Sequence, residues 1–226
     1  LPPRKSTAKI FSSLHLSGVS AQLAGRYIFQ NVSITIARGD RIAVVGPSGS
    51  GKSVLLALIA GLLEPTEGTI SVDGNGDRSC EVAWLGQRPA FVQGSVAANL
   101  SMYRGSINSE RLEAAIEIAE ASEVVTKLDR GFQEILRENA TNISGGEAQR
   151  LAIARLALSN AALILADEPT EHLDSLTANA VINGLFELSS DRTLIVATHD
   201  SRIISRADRI IDISKLAPRT HLDAAA

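Results

Sequence analysis

The octapeptide GPSGSGKS, Gly46–Ser53, sets glycines at 46, 49 and 51 among small residues and closes on a cation and a hydroxyl. Glycine removes the side chains that would keep backbone N–H groups from converging on a polyphosphate. Gly46, Pro47, Ser48, Gly49, Ser50, Gly51, Lys52 and Ser53 together fit the pattern G-x-x-x-x-G-K-S. Lys52 supplies a point charge for β- and γ-phosphates, and Ser53 a hydroxyl for Mg²⁺. The helix expected to follow adds its partly positive N-terminus. A Gly/Ser turn that merely precedes a helix is the plain alternative, but the full match in a strand–turn–helix context argues against it. The stretch reads as a nucleoside triphosphate site, with ATP and GTP both open.

A second group of chemically active residues follows the apolar run AALILA: Asp167 and Glu168. In an open parallel sheet, ligands bind beyond the carboxyl ends of the strands. Asp167 is therefore placed to hold Mg²⁺, and Glu168 to orient a water and accept its proton. Taken alone, DEPTEHLD reads as a solvated acidic turn; downstream of a phosphate loop, the metal and base roles are preferred. His199 follows another apolar strand, TLIVAT, and can donate to the γ-phosphate. Gln87, after EVAWLG, holds a similar place on a shorter strand.

Ser144-Gly145-Gly146-Glu147 has the S-x-x-E form of a capping box ahead of an apolar, periodic run. Capping explains Ser144 but not two glycines in a first turn, each costing about 1 kcal/mol against alanine. An anion closely approaching bare N–H groups and a hydroxyl would explain them. One fold has difficulty bringing two helix N-termini to one triphosphate. A second copy related by a twofold axis can supply the element in trans.

The elements that must position these residues can be read from periodicity. LPPRKSTAK has no apolar period and reads as a linker. YIFQNVSITI and DRIAVVG are β-rich, with Gly39–Asp40 as the turn between them, and a helix from Ser53 stops before Pro65. GTISVDG and EVAWLG are short strands. From about Ser95 to Leu158 the pattern turns helical, with SERLEAAIEIAEASEVVTKL as one amphipathic run. Strand and helix then alternate through AALILA, a helix at 175–188, TLIVAT, a short helix near Ser201 and RIIDIS. Such alternation implies a mostly parallel sheet with helices on both faces.

A chain of 226 residues can bury a sizeable core, and 21 % charged residues place it with globular proteins. A net charge of −3 gives no electrostatic reason for nucleic-acid binding. Cys80 is the single cysteine, so no internal disulfide forms. The longest apolar run, VLLALIAGLL, is too short for a membrane span. The leading Leu is expected of a fragment of something longer, and the closing AAA of vector-derived residues.

From about Ser12 to Ser214 the chain resembles the nucleotide-binding domain of ATP-binding-cassette (ABC) transporters. GPSGSGKS is similar to Walker A, WLGQRP to the Q-loop with Gln87, NISGGEAQR to the LSGGQ signature and LILADEP to Walker B. EHLD falls at the D-loop, with Asp174, and ATHD at the H-loop. The resemblance implies an α/β phosphate-loop NTPase core with a mostly parallel sheet, an antiparallel β subdomain and an inserted helical subdomain at about 95–158. It places the ATPase domain at 12–214, between a linker at 1–11 and a tail at 215–226. It implies ATP and Mg²⁺, with Ser53, Gln87 and Asp167 as metal partners, Glu168 as general base and His199 as γ-phosphate switch. Gln87 then also couples to a membrane domain. Ser144, Gly145, Gly146 and Glu147 would act in trans on the ATP held by a partner's Walker A, in a head-to-tail homo- or heterodimer.

Finer features resemble the exporter branch. QRPAFVQGSVAANL is similar to the exporter stretch after the Q-loop, and Glu138 matches the exporter loop that meets the opposite membrane half. Such halves carry this domain after six membrane helices, which implies the cytoplasmic face of a bacterial inner membrane. VAWLGQRPAFVQGSVAANL, with Trp84, looks like the thiol-reductant exporters, whose cargo is cysteine or glutathione. The signature departs as ISGGE, and the D-loop has Glu171 where a small residue is common. For adenine stacking the nearest aromatic is Tyr27, several residues later than the family spacing. Alternatives are a soluble ABC ATPase acting on nucleic acid or ribosomes, and an ATPase subunit with separate membrane subunits. Tandem cassettes, coiled-coil insertions and basic arms, the marks of the soluble class, are not seen in this sequence.

Overall fold

The computed structural model describes residues 11–74, 80–102 and 107–216. The elements run β1 (Ser13–Leu23), β2 (Arg26–Ala37), β3 (Arg41–Val45), α1 (Lys52–Ile59), β4 (Glu67–Val72), β5 (Val82–Leu85) and β6 (Gly94–Ser95). They continue with α2 (Val96–Ser101), α3 (Ser109–Ile118), α4 (Ser122–Lys127), β7 (Ile135–Leu136), α5 (Gly145–Leu158) and β8 (Leu163–Asp167). α6 (Ser175–Leu188), β9 (Thr193–Ala197), α7 (Ser201–Ile204) and β10 (Arg209–Asp212) complete the order.

A five-stranded sheet of order β10-β3-β9-β8-β5 is parallel at every pairing. An antiparallel sheet of order β2-β1-β4 stands beside it. The parallel strands are apolar because helices or the second sheet cover both faces. Their alternation divides the core into two clusters. Ile164, Ala166, Leu194 and Val196 face the helices α3 to α6, whereas Leu163, Leu165, Ile195 and Ala197 face α1 and the antiparallel sheet. This is the period of two expected of strands covered on both sides. Among the described residues no helix is long and apolar enough to cross a membrane.

Three sequence expectations are adjusted. The run 109–128 is two helices rather than one, broken where Glu120 takes a φ of 48°. The stretch expected to be helical from about 95 is stapled by a short ladder, Gly94 opposite Leu136 and Ser95 opposite Ile135. Phe11, read as linker, is core at 1 % exposure, and the tail's first residues still pack, Leu216 accepting from the Gln30 N–H at 3.4 Å. Residues 1–10 of the linker and 217–226 of the tail lie outside the described residues.

Leu165→Ala, in the middle of β8 at 0 % exposure, is expected to cost about 2–5 kcal/mol in urea unfolding. Leu62→Ala, at 67 % exposure, is expected within about 0.5 kcal/mol of the unsubstituted protein. Equal costs at the two positions would contradict the core assignment.

Candidate functional site

The register of the parallel sheet aligns three strand ends. Ala197 of β9 pairs with Val44 of β3 on one side and with Asp167 of β8 on the other. The segments that follow, beginning at Gly46, Glu168 and Thr198, therefore leave the sheet at one edge.

Between β3 and α1 the chain turns through Gly49 at φ 75° and Gly51 at φ 98°, conformations that L side chains rarely adopt. At Gly51 a Cβ would also stand 2.2 Å from Ile28 Cγ2. Gly51 is the N-cap of α1 and offers no side-chain cap, so the first-turn N–H groups are left for an outside acceptor. Lys52 is buried, and its Nζ donates to the Gly46 carbonyl at 3.0 Å and the Pro47 carbonyl at 3.4 Å. Its third partner is Glu168 Oε1 at 3.2 Å. Pro47, Ser48, Gly49 and Ser53 are exposed; the Ser50 hydroxyl is buried without a partner among the described residues.

Glu168 holds a φ of 45°, and its N–H donates to the Ala197 carbonyl at 2.9 Å. That bond continues the β8–β9 ladder by one residue while the backbone turns away. The largely buried carboxylate is shared: Oε1 meets Lys52, and Oε2 meets His199 Nδ1 at 2.9 Å. The His199 side chain is itself 71 % exposed, open to whatever enters from solvent. The neighbouring Asp167 has one carboxylate oxygen, Oδ1, buried with no hydrogen-bond partner among the described residues. An orphaned buried carboxylate oxygen and an exposed Ser53 hydroxyl are oxygen donors of the kind that suit Mg²⁺. Gln87, exposed after β5, leaves the same sheet edge, since Leu85 pairs with Ala166.

Asp200 straps this edge together. Its Oδ2 accepts from Thr170 Oγ1 at 3.0 Å and Arg202 Nη2 at 2.6 Å, and Arg202 Nη1 reaches Asn179 Oδ1 of α6 at 3.0 Å. The Arg202 hydrogen bond, with Thr170 contributing, brings the Asp200 carboxyl down to about 2.

The signature lies elsewhere. Ser144 caps α5 in a full capping box: Ser144 Oγ accepts from the Glu147 N–H at 3.2 Å, and Glu147 Oε2 accepts from the Ser144 N–H at 2.8 Å. The latter bond holds the Glu147 carboxyl below its usual range. The two glycines then differ. A Cβ at Gly146 would meet Thr177 Cγ2 at 2.5 Å, so packing against α6 accounts for it. Gly145 has nothing within 4 Å and presents bare backbone to a groove of about 810 Å³. Segments 87–90, 139–146 and 171–174 form the walls of that groove, and no residue of 46–53 lines it. Within one chain the phosphate loop and the signature do not converge.

Asp174 is the N-cap of α6, accepting from the Leu176 and Thr177 N–H groups at 3.0 and 3.1 Å. Its carboxyl is lowered chiefly by the Thr177 hydroxyl. Tyr27 donates to Glu67 Oε1 at 3.2 Å, and it is the next residue, Ile28, that touches the phosphate loop at Gly51. Sequence reasoning missed Ile28, which carries no motif, the strap made by Asp200 at the end of ATHD, and Gln149, a buried polar residue on the apolar side of α5. That last position was a visible signal.

A phosphate loop after β3, an acid pair at the end of β8 two strands away and a separate capped Ser-Gly-Gly helix define the ABC ATPase fold. Residues 29–171 match the family model described as ABC transporter, and the chain belongs to that family. It is 38 % identical over 194 residues to ABC transporter B family member 18 of Arabidopsis thaliana, covering 81 % of this chain and 16 % of that protein. It is 36 % identical over 216 residues to the ATP-dependent lipid A-core flippase of Burkholderia pseudomallei, covering 92 % and 36 %. A bacterial Atm1-family ABC exporter solved with ATP bound matches with a TM-score of 0.79 at 28 % identity, over 90 % of this chain and 37 % of that one. The chain spans 36 % or less of the length of these curated relatives. As an ABC transporter ATPase domain it binds ATP, which answers the choice of base that the phosphate loop left open.

The Asp200 strap should be pH-dependent. A carboxyl lowered from 3.8 to about 2 stabilises the folded state fully above pH 3.8, and that stabilisation is lost as pH falls towards 2. The stability difference between the unsubstituted protein and Asp200→Asn in urea unfolding should therefore be largest near pH 5 and shrink below pH 4. A difference independent of pH would count against the strap.

Proposed function

We propose that this chain is the ATP-hydrolysing motor of an exporter and that two such domains close head to tail on two ATP molecules. The observation that carries the reading is the Glu168 carboxylate standing between Lys52 and His199 at the shared ends of β3, β8 and β9. Glu168 is the general base that takes the proton of the attacking water, and His199 donates to the γ-phosphate. Residues Gly46 to Gly51 cradle the phosphates with backbone N–H groups, and Lys52 supplies charge. Ser53, Asp167 and Gln87 would hold Mg²⁺, which neutralises phosphate charge when bound. The orphaned Asp167 oxygen supports that assignment.

Ser144, Gly145, Gly146 and Glu147 complete the site of the second copy. The open backbone at Gly145 and the absence of phosphate-loop residues from its groove favour action in trans. Asp174, by capping α6, shapes the D-loop offered to that copy. The greater length of the relatives supports joining to a membrane-spanning region, with this domain on the cytoplasmic face of a bacterial inner membrane. The run around Trp84 supports cysteine or glutathione as cargo, which labelled glutathione uptake into inverted vesicles tests against a lipid probe.

Glu168→Gln is expected to keep ATP affinity, lower turnover by about 100-fold or more and trap an ATP-dependent dimer visible by light scattering. Retained turnover would remove Glu168 from the base role. Lys52→Ala is expected to weaken ATP binding itself by about 10-fold or more in calorimetry, since a charge-assisted phosphate contact is lost. Unchanged affinity would contradict the phosphate-loop assignment.

A further inference from the structure

Gln149 is the buried polar residue of α5, 2 % exposed in a helix whose other buried residues are apolar. Its Nε2 donates to the Pro169 carbonyl at 2.9 Å and the Gly86 carbonyl at 3.3 Å. Pro169 directly follows Glu168, and Gly86 directly precedes Gln87. Both partners are carbonyl oxygens, so only the amide nitrogen can serve them, and its two N–H bonds match two acceptors. The remaining oxygen, Oε1, is buried with no partner among the described residues. An orphaned buried acceptor is a cost that an apolar side chain of the same length would avoid. Core packing therefore does not account for glutamine here, whereas the fork between two loops does.

The same helix holds the far end of the Gln87 segment. Arg155 Nη1 donates to the Ala90 carbonyl at 2.9 Å, and its guanidinium lies 4.3 Å from the Phe91 ring centroid. Segment 86–91 is thus tied to α5 at both ends, and the residue after Glu168 is tied to the same helix. Gln149 sits about one and a half turns along the helix from Ser144, the residue offered to the second copy.

We propose that Gln149 is a positioning residue that sets Glu168 and Gln87 together by fixing the carbonyls beside them to the signature helix. It rests on the assignment of Glu168 and Gln87 above. A shift of the α5 N-terminus is passed through one amide to the base and to the Q-loop.

The test is Gln149→Met, which keeps length and volume but removes both donors, in the protein carrying this chain. kcat should fall about 10- to 100-fold while KM and the affinity for ATP stay within about twofold and the melting temperature is held. Gln149→Ala carries the same expectation should the Met variant not fold. Unchanged kcat, a rise in KM with kcat intact, or collapse of both variants would each overturn the proposal. Glu168→Gln in the same series separates the two readings: retained turnover in that variant defeats the base assignment, and an undiminished kcat in Gln149→Met defeats the positioning role.

Discussion

Ala197 pairs with Val44 on one side and Asp167 on the other, and the chemistry of this chain hangs from that rung. A parallel sheet sends all its strands out at one edge, so loops distant in sequence meet there without any long connection. Ladder bonds leave no freedom to slip, because a shift of one residue would exchange the two core clusters. Leu163 and Leu165 would turn towards the helices, and Ile164 and Ala166 towards the antiparallel sheet. The register that packs the core is therefore the register that brings Lys52, Glu168 and His199 within hydrogen-bond reach.

The signature helix obeys a different constraint. Its capping box satisfies the Ser144 and Glu147 N–H groups with the two side chains of the same residues. Gly146 lets α6 approach, and Gly145 leaves the backbone open. Two adjacent glycines thus have separate causes, one internal and one facing outward. Only the second is left without an account in the packing of the described residues.

Much of this edge was legible in sequence because its strands are buried on both faces and stand out as apolar runs bounded by chemically distinctive residues. Glu168 and His199 could be placed at strand ends for that reason. β1 was not assigned because irregularities between Leu16, Val19 and Ala21 break its alternation, so SLHLSGVSAQL has no clean period. The β6–β7 ladder spans two residues on each side, too few to leave any pattern. The left-handed turn at Glu168 was invisible too, since nothing in the residue type favours it. Ile28 escaped because its role is steric, against a glycine on a loop far along the chain.

That left-handed turn also bears on how ATP must enter. A non-glycine residue in this region costs about 1–3 kcal/mol, and the N–H bond to Ala197 helps hold it. The turn delivers the Glu168 carboxylate to Lys52, whose three N–H bonds already have the Gly46 and Pro47 carbonyls and Glu168 as acceptors. A phosphate oxygen that takes one of those bonds must displace one of the three. The two carbonyls belong to the loop proposed to receive the phosphates, whereas Glu168 keeps a second partner in His199. Giving up Glu168 leaves the loop intact and the carboxylate still hydrogen-bonded on one oxygen. On the proposed reading, the contact between Lys52 and Glu168 is thus the one whose loss frees a carboxylate oxygen to meet water.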